Sequence, residues 1–320
     1  MKWKQAKDLI KRFHLRVNCK RRAKAYRFKK TGRTMMELTI TNIPAISAIY
    51  YALLQCGYEF YTIERDAATV EALRGFLLHE GIGCDFFAGT KQASCEVYPY
   101  WPRAALLETA VFFIPSQGDS FDLNAYKDVV MSAKNISDEE RNESFWNWIP
   151  DFPMCLKQVM QKKHFRRYFD WENDWIDQQN ERYREKRKNI YELLRRCEEK
   201  FGLPVQKIQI VLNPIKCVYS ADYHLKEDRF IYCSGALSEK AIVHELLHRT
   251  VHPLVERRKD DVLRLNLVSP EIESSYYLNH GEAGKLNGFE EHFVRVLSEA
   301  IVSGHIPESL EAFFDQELKK

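Results

Sequence analysis

The run Ala241–Pro253, A-I-V-H-E-L-L-H-R-T-V-H-P, constrains this chain more than any other stretch. It sets an H-E-x-x-H inside an apolar, periodic segment. On an α-helix His244 and His248 stand one turn apart on one face, so both imidazoles can reach a single metal ion. Glu245 lies roughly 100° further round the helix axis, where a carboxylate can deprotonate a water rather than bind the metal. Neutral imidazoles suit Zn²⁺, and a carboxylate accepts a proton from a water whose pKa the metal has lowered. Ile242, Val243, Leu246, Leu247 and Val251 make the helix mostly buried, so its polar cluster needs partners. The bland alternative is two histidines and a glutamate hydrogen-bonded in an ordinary helix.

A catalytic zinc site takes three protein ligands and keeps one position open. His252 continues the spacing, but three histidines on successive turns drift about 12 Å along the axis, too far for one ion. Its neighbour Pro253 is expected to close the helix, because the residue before a proline avoids the α region. The metzincin pattern H-x-x-G-x-x-H is absent, since Val251 and Leu254 occupy its glycine and histidine positions. The remaining source is a helix expected over 287–302, N-G-F-E-E-H-F-V-R-V-L-S-E-A-I-V, with Phe289, Phe293, Leu297 and Ala300 on its buried stripe. Glu290 and Glu291 open it at the positive end, where acids are common anyway. Spacing does not choose between them.

The rest of the chain reads as follows. Met36–Thr41 is a short strand or the approach to a helix; 43–56 is a helix entered at Pro44 and stopped by Gly57; 67–79 is a second helix. Residues 84–115 hold short apolar runs that fit strand or buried helix. Gly118, Asp119 and Asp122 read as a turn with no support for a metal site. Residues 137–202 read as helical throughout, with one long polar helix over 168–201. Lys207–Leu212 and Arg229–Cys233 are β-branched, apolar strands, and Tyr219–Lys226 between them is polar enough for a turn. Ser238 is the expected N-cap of the H-E-x-x-H helix. Strand, strand, metal helix is an informative order, because an edge strand beside such a helix can pair with an extended peptide.

V-H-E-L-L-H-R-T-V-H-P-L-V, followed some forty residues later by N-G-F-E-E-H-F-V-R, resembles an uncharacterised gluzincin-type family of H-E-x-x-H proteins. The likeness covers about residues 160–305 and includes the order of the preceding long helix and two strands. In that family the downstream helix reads glutamate, two residues, valine, arginine. The resemblance therefore implies Glu291, ahead of Glu290, as third metal ligand, with Arg295 orienting it. The family tends to have asparagine where this chain has His252. A zincin fold and a metallopeptidase mechanism are implied, with the substrate left open.

Composition bounds the reading. Hydrophobic content of 45% over 320 residues fits a globular chain with room for two domains. The longest apolar run, 45–54, is too short to span a bilayer, and no secretory core follows the basic start. Eight cysteines (19, 56, 84, 95, 155, 197, 217 and 233) are scattered without a C-x-x-C pair, as in reduced, cytoplasmic proteins. Residues 1–34 carry fourteen Lys or Arg against Asp8, a net +13 in a chain whose total is +3. Trp3, Phe13, Tyr26 and Phe28 interleave with those charges. Such an arm can dock on the acidic remainder, or bind nucleic acid or an anionic surface.

The expected fold is α+β: a mainly helical N-terminal half, then a zincin-like C-terminal module of small sheet, metal-binding helix and glutamate helix. The expected divisions are 1–34 as the arm, 35–135 as an N-terminal domain, 136–205 as a helical connector and 206–320 as the catalytic module. The expected activity is zinc-dependent hydrolysis of a peptide or protein substrate, with Zn²⁺ on His244, His248 and Glu291 and with Glu245 as general base. Tyr276, Tyr277 and His280, between the two ligand helices, are candidate oxyanion donors. The alternative from another class is a regulatory protein that binds nucleic acid or an anionic surface through its arm, with an idle or structural metal site.

Overall fold

A computed structural model describes residues 37–57, 65–78, 86–88, 96–97, 102–115, 121–132, 145–203, 207–226, 229–265 and 281–319. The basic arm 1–34, the turn at 118–119, and Tyr276, Tyr277 and His280 lie outside the described residues. The elements in chain order are β1 (Glu37–Thr41), α1 (Pro44–Leu54), α2 (Ala67–Arg74), β2 (Glu96–Val97), β3 (Pro102–Arg103), α3 (Ala105–Val111) and α4 (Leu123–Ser132). A 3₁₀ turn (Ile149–Asp151) leads into α5 (Phe152–Gln161), α6 (Lys163–Arg182) and α7 (Arg184–Phe201). Then come β4 (Lys207–Leu212), β5 (Asp222–Lys226), β6 (Arg229–Ser234), α8 (Glu239–Arg257), α9 (Lys259–Arg264), α10 (Gly281–Val302) and α11 (Leu310–Glu317). The fold is mixed α+β, with much more helix than strand.

A four-stranded sheet in the order β1-β4-β6-β5 forms the central layer. β1, β4 and β6 run parallel, with Ile40 beside Ile210 and Ile210 beside Tyr232, and β5 closes one edge antiparallel to β6. Parallel strands covered on both faces read as continuous apolar runs, which explains I-Q-I-V-L and F-I-Y-C. Val211, Ile231 and Cys233 face a core that includes α1, α5 and the start of α6. Ile208, Ile210, Leu212, Phe230 and Tyr232 face a second core built with α7, α8, α10 and α11. Strand β1, more than 160 residues upstream of β4, thus joins the sheet on which α8 rests.

Several boundaries differ from the sequence reading. The second helix ends at Arg74, capped by Gly75, five residues before the expected end. The expected long helix is two, α6 and α7, broken at Tyr183 where φ/ψ of −101°/18° leave the helical region. Tyr219–Lys226 is not all turn, because Asp222–Lys226 pairs with β6 as a strand. Pro253 does not end α8. The helix runs through it to Arg257. A proline costs the carbonyl one turn back its donor; here that residue is Arg249, exposed like Pro253 itself, while Val251, Leu254 and Val255 stay buried on the core side. Nor does α10 begin at 287; it starts at Gly281, whose φ of +57° suits a glycine. Its buried stripe continues through Ile301 rather than the half-buried Ala300.

Candidate metal centre

Helix α8 begins where the Ser238 hydroxyl accepts a bond from the Ala241 amide at 3.2 Å, as its sequence suggests. It buries Ile242, Val243, Leu246 and Leu247 and leaves His244, Glu245 and His248 half-buried along one flank. Helix α10 packs along it. Because α10 starts at Gly281, Glu290 and Glu291 lie more than two turns inside it, beyond the N-terminal turn where acids are ordinarily favoured. Their position answers to α8 instead.

The two glutamates take different places. Glu291 faces the imidazoles' far nitrogens: its Oε1 is 3.5 Å from His244 Nε2 and its Oε2 is 3.6 Å from His248 Nε2. The two Nε2 atoms are 3.2 Å apart. His244, His248 and Glu291 thus form one group able to hold a metal ion. Glu290 turns to the other side of His248, with Oε1 2.9 Å from Nδ1, and its Oε2 lies 2.8 Å from His252 Nδ1. Arg295, one turn on, donates to Glu291 Oε1 at 2.9 Å.

Burial, the basic neighbours and the acids set the charges. Burial opposes ionisation of Glu291, yet hydrogen bonds from His244, His248 and Arg295 hold its carboxyl far below the ordinary range. Burial likewise opposes a charge on His248, but Glu290, Glu291 and Glu245 outweigh it and push the imidazole up to about 10. Burial raises the Glu245 carboxyl, with the nearby His248 and His244 drawing it back down.

Tyr223 belongs to this site and was hidden within the stretch read as a turn. Its ring lies nearly parallel to that of His248, 6.5 Å between centroids and 16° between planes. On the other face of the same strand, Asp222 and His224 enter a buried network. Lys216 Nζ donates to Glu108 Oε1 at 2.8 Å, Asp222 Oδ2 at 2.5 Å and Tyr50 Oη at 3.0 Å. His224 Nε2 is 2.8 Å from Glu108 Oε2, and Arg103 forks onto Asp222. Glu108, His224 and Cys233 are close enough together to hold a metal. Lys216 already supplies the cation there, however, and holds the Asp222 carboxyl low against the effect of burial. Sequence reading missed this network because its bonded partners lie up to 166 residues apart in the chain.

The described cysteines (56, 155, 197, 217 and 233) carry thiols and not disulfides. No described helix is long and apolar enough to cross a membrane. Compared with known proteins, the chain matches no family model, no curated protein and no solved structure.

Proposed function

We propose that this chain is a zinc-dependent metallopeptidase of gluzincin type, with His244, His248 and Glu291 as metal ligands and Glu245 as general base. One observation carries the reading. Ligand atoms about 2.0–2.1 Å from a tetrahedral Zn²⁺ stand roughly 3.3–3.4 Å from one another. Here the two Nε2 atoms stand 3.2 Å apart, and Glu291, from the second helix, sets one carboxylate oxygen 3.5 Å from His244 Nε2 and the other 3.6 Å from His248 Nε2. Two nitrogens and one carboxylate oxygen are also the donor set of a hydrolytic zinc site. Three protein ligands leave the fourth position to solvent or substrate. The arrangement of a small sheet, the H-E-x-x-H helix and a glutamate helix supports a zincin-like module.

Bound Zn²⁺ would supply a Lewis acid that acidifies a water and polarises the scissile carbonyl. Glu245 accepts the proton of the attacking water on its carboxylate and delivers it to the leaving amine nitrogen. Its half-buried position, which raises its affinity for a proton, suits that exchange. Arg295 fixes the Glu291 carboxylate by its bond to Oε1. Among the described residues β5 is the edge strand on the side of Tyr223, whose ring lies against His248, and an extended peptide would pair with that edge.

The test compares zinc content and hydrolysis of casein and a broad peptide library by wild type and Glu245→Gln. Wild type should bind one zinc and cleave. Glu245→Gln should bind zinc equally and lose activity by about 10²–10⁴-fold. A wild type that binds zinc but is as inert as the variant across the library would overturn the peptidase reading.

A further inference from the structure

We propose that Glu290 and His252 form an orienting bridge for His248, so that Glu290 is a positioning residue of the metal centre and His252 its brace. The inference rests on the zinc reading above and assigns a role to two residues that the ligand set does not use. His248 and His252 are one helical turn apart on α8, so their rings project to the same side. Glu290 reaches across from α10 and meets both, Oε1 with His248 Nδ1 at 2.9 Å and Oε2 with His252 Nδ1 at 2.8 Å. An ionised carboxylate only accepts hydrogen bonds, so each Nδ1 must carry a hydrogen. On the neutral imidazole Nε2 is then the nitrogen left to present a lone pair, and Nε2 is the atom that faces His244 and Glu291.

A single bond would leave the carboxylate free to rotate about its terminal torsion, a soft, broad coordinate. The second bond, to His252, removes that freedom and locks Oε1 onto His248. The bridge also accounts for the path of α8. Only a helix that continues regularly to Pro253 keeps His252 one turn from His248, and α8 does so. His252 is half-exposed, 47% by side chain, against 12% for Glu290. Its substitution can therefore test the bridge without disturbing the core.

The experiment uses the full chain as wild type, Glu290→Gln, His252→Gln and the double variant. Zn²⁺ affinity is measured by competition with a chromophoric chelator, and imidazole N–H protons are read by NMR in the metal-free protein. A glutamine at 290 has one accepting oxygen and can satisfy one imidazole only. Glu290→Gln should weaken zinc binding about 10–100-fold. His252→Gln should weaken it less, and the double variant should be no weaker than Glu290→Gln alone, because both act through one bridge. Wild type should show an exchange-protected His248 Nδ1 proton, lost or shifted in Glu290→Gln, a change that a general packing role would not produce. Variants that fold, bind zinc as wild type does and keep that proton unchanged would overturn the bridge. A wild type that binds no zinc would overturn the metal reading instead, while the proton signal would still decide whether the bridge exists.

Discussion

Glu291, Glu108 and Glu172 are one side chain in three surroundings, and each surrounding dictates a different state. Glu291, beside two imidazoles and Arg295, is kept ionised. Glu108 is fully buried but faces Lys216 and His224, which hold it charged despite burial. Glu172 is buried against Asn213 and, among the described residues, pairs with no cation. Burial pushes its carboxyl up to about 8, although Ser47, Asn42, Tyr168 and Asn213 pull the other way. That shift has a pH signature. Between the ordinary value of 4.5 and about 8, the folded chain holds a proton that the unfolded chain has released. Stability from this group is therefore full below pH 4.5 and is lost as pH rises towards 8, at a limiting slope of about 1.4 kcal/mol per pH unit. Glu172→Gln mimics the protonated acid and should flatten that decline. Urea denaturation at pH 5 and pH 9 checks it: near-equal stabilities at pH 5 and a more stable variant at pH 9 are expected.

Among the elements, β5 depends most on partners far away in sequence. D-Y-H-L-K alternates, but its inward residues on one face are Asp222 and His224, so the usual apolar signal of a strand is missing. They are buried because Lys216, Arg103 and Glu108 neutralise and bond them. Lys216→Met should therefore remove the cation that two buried carboxylates share and destabilise the fold by about 3–5 kcal/mol, read by urea denaturation. An effect under about 1 kcal/mol would mean that the network is not holding the edge strand. The strands β4 and β6, the N-cap at Ser238 and the helical face of His244 and His248 were legible because each is a local pattern of period or capping. The α10 start, the passage of α8 through Pro253 and the break at Tyr183 were not. Each is decided by which face the core covers. Glu290 and Glu291 could not be told apart by spacing either, because their difference is which nitrogen of His248 each one meets.

At the scale of the whole molecule, one sheet carries two cores, and the proposed metal joins α8 to α10 at the rim of the second. A ligand bound only by the folded chain stabilises it by mass action, about 2.7 kcal/mol at a hundred times its Kd. Removing metal with a chelator should thus lower Tm, and added Zn²⁺ should restore it; a melt indifferent to both would contradict a site formed only on folding. The net charge of +13 on residues 1–34 remains the basis of the binding-protein alternative, and it lies outside the described residues. The central claim concerns three atoms and one ion, so anomalous diffraction at the zinc edge from zinc-loaded crystals tests it most directly. The account predicts a single peak about 2.0–2.2 Å from His244 Nε2, His248 Nε2 and a Glu291 oxygen. A peak bound by Glu290 and His252 instead, or no peak between the two helices, would contradict it.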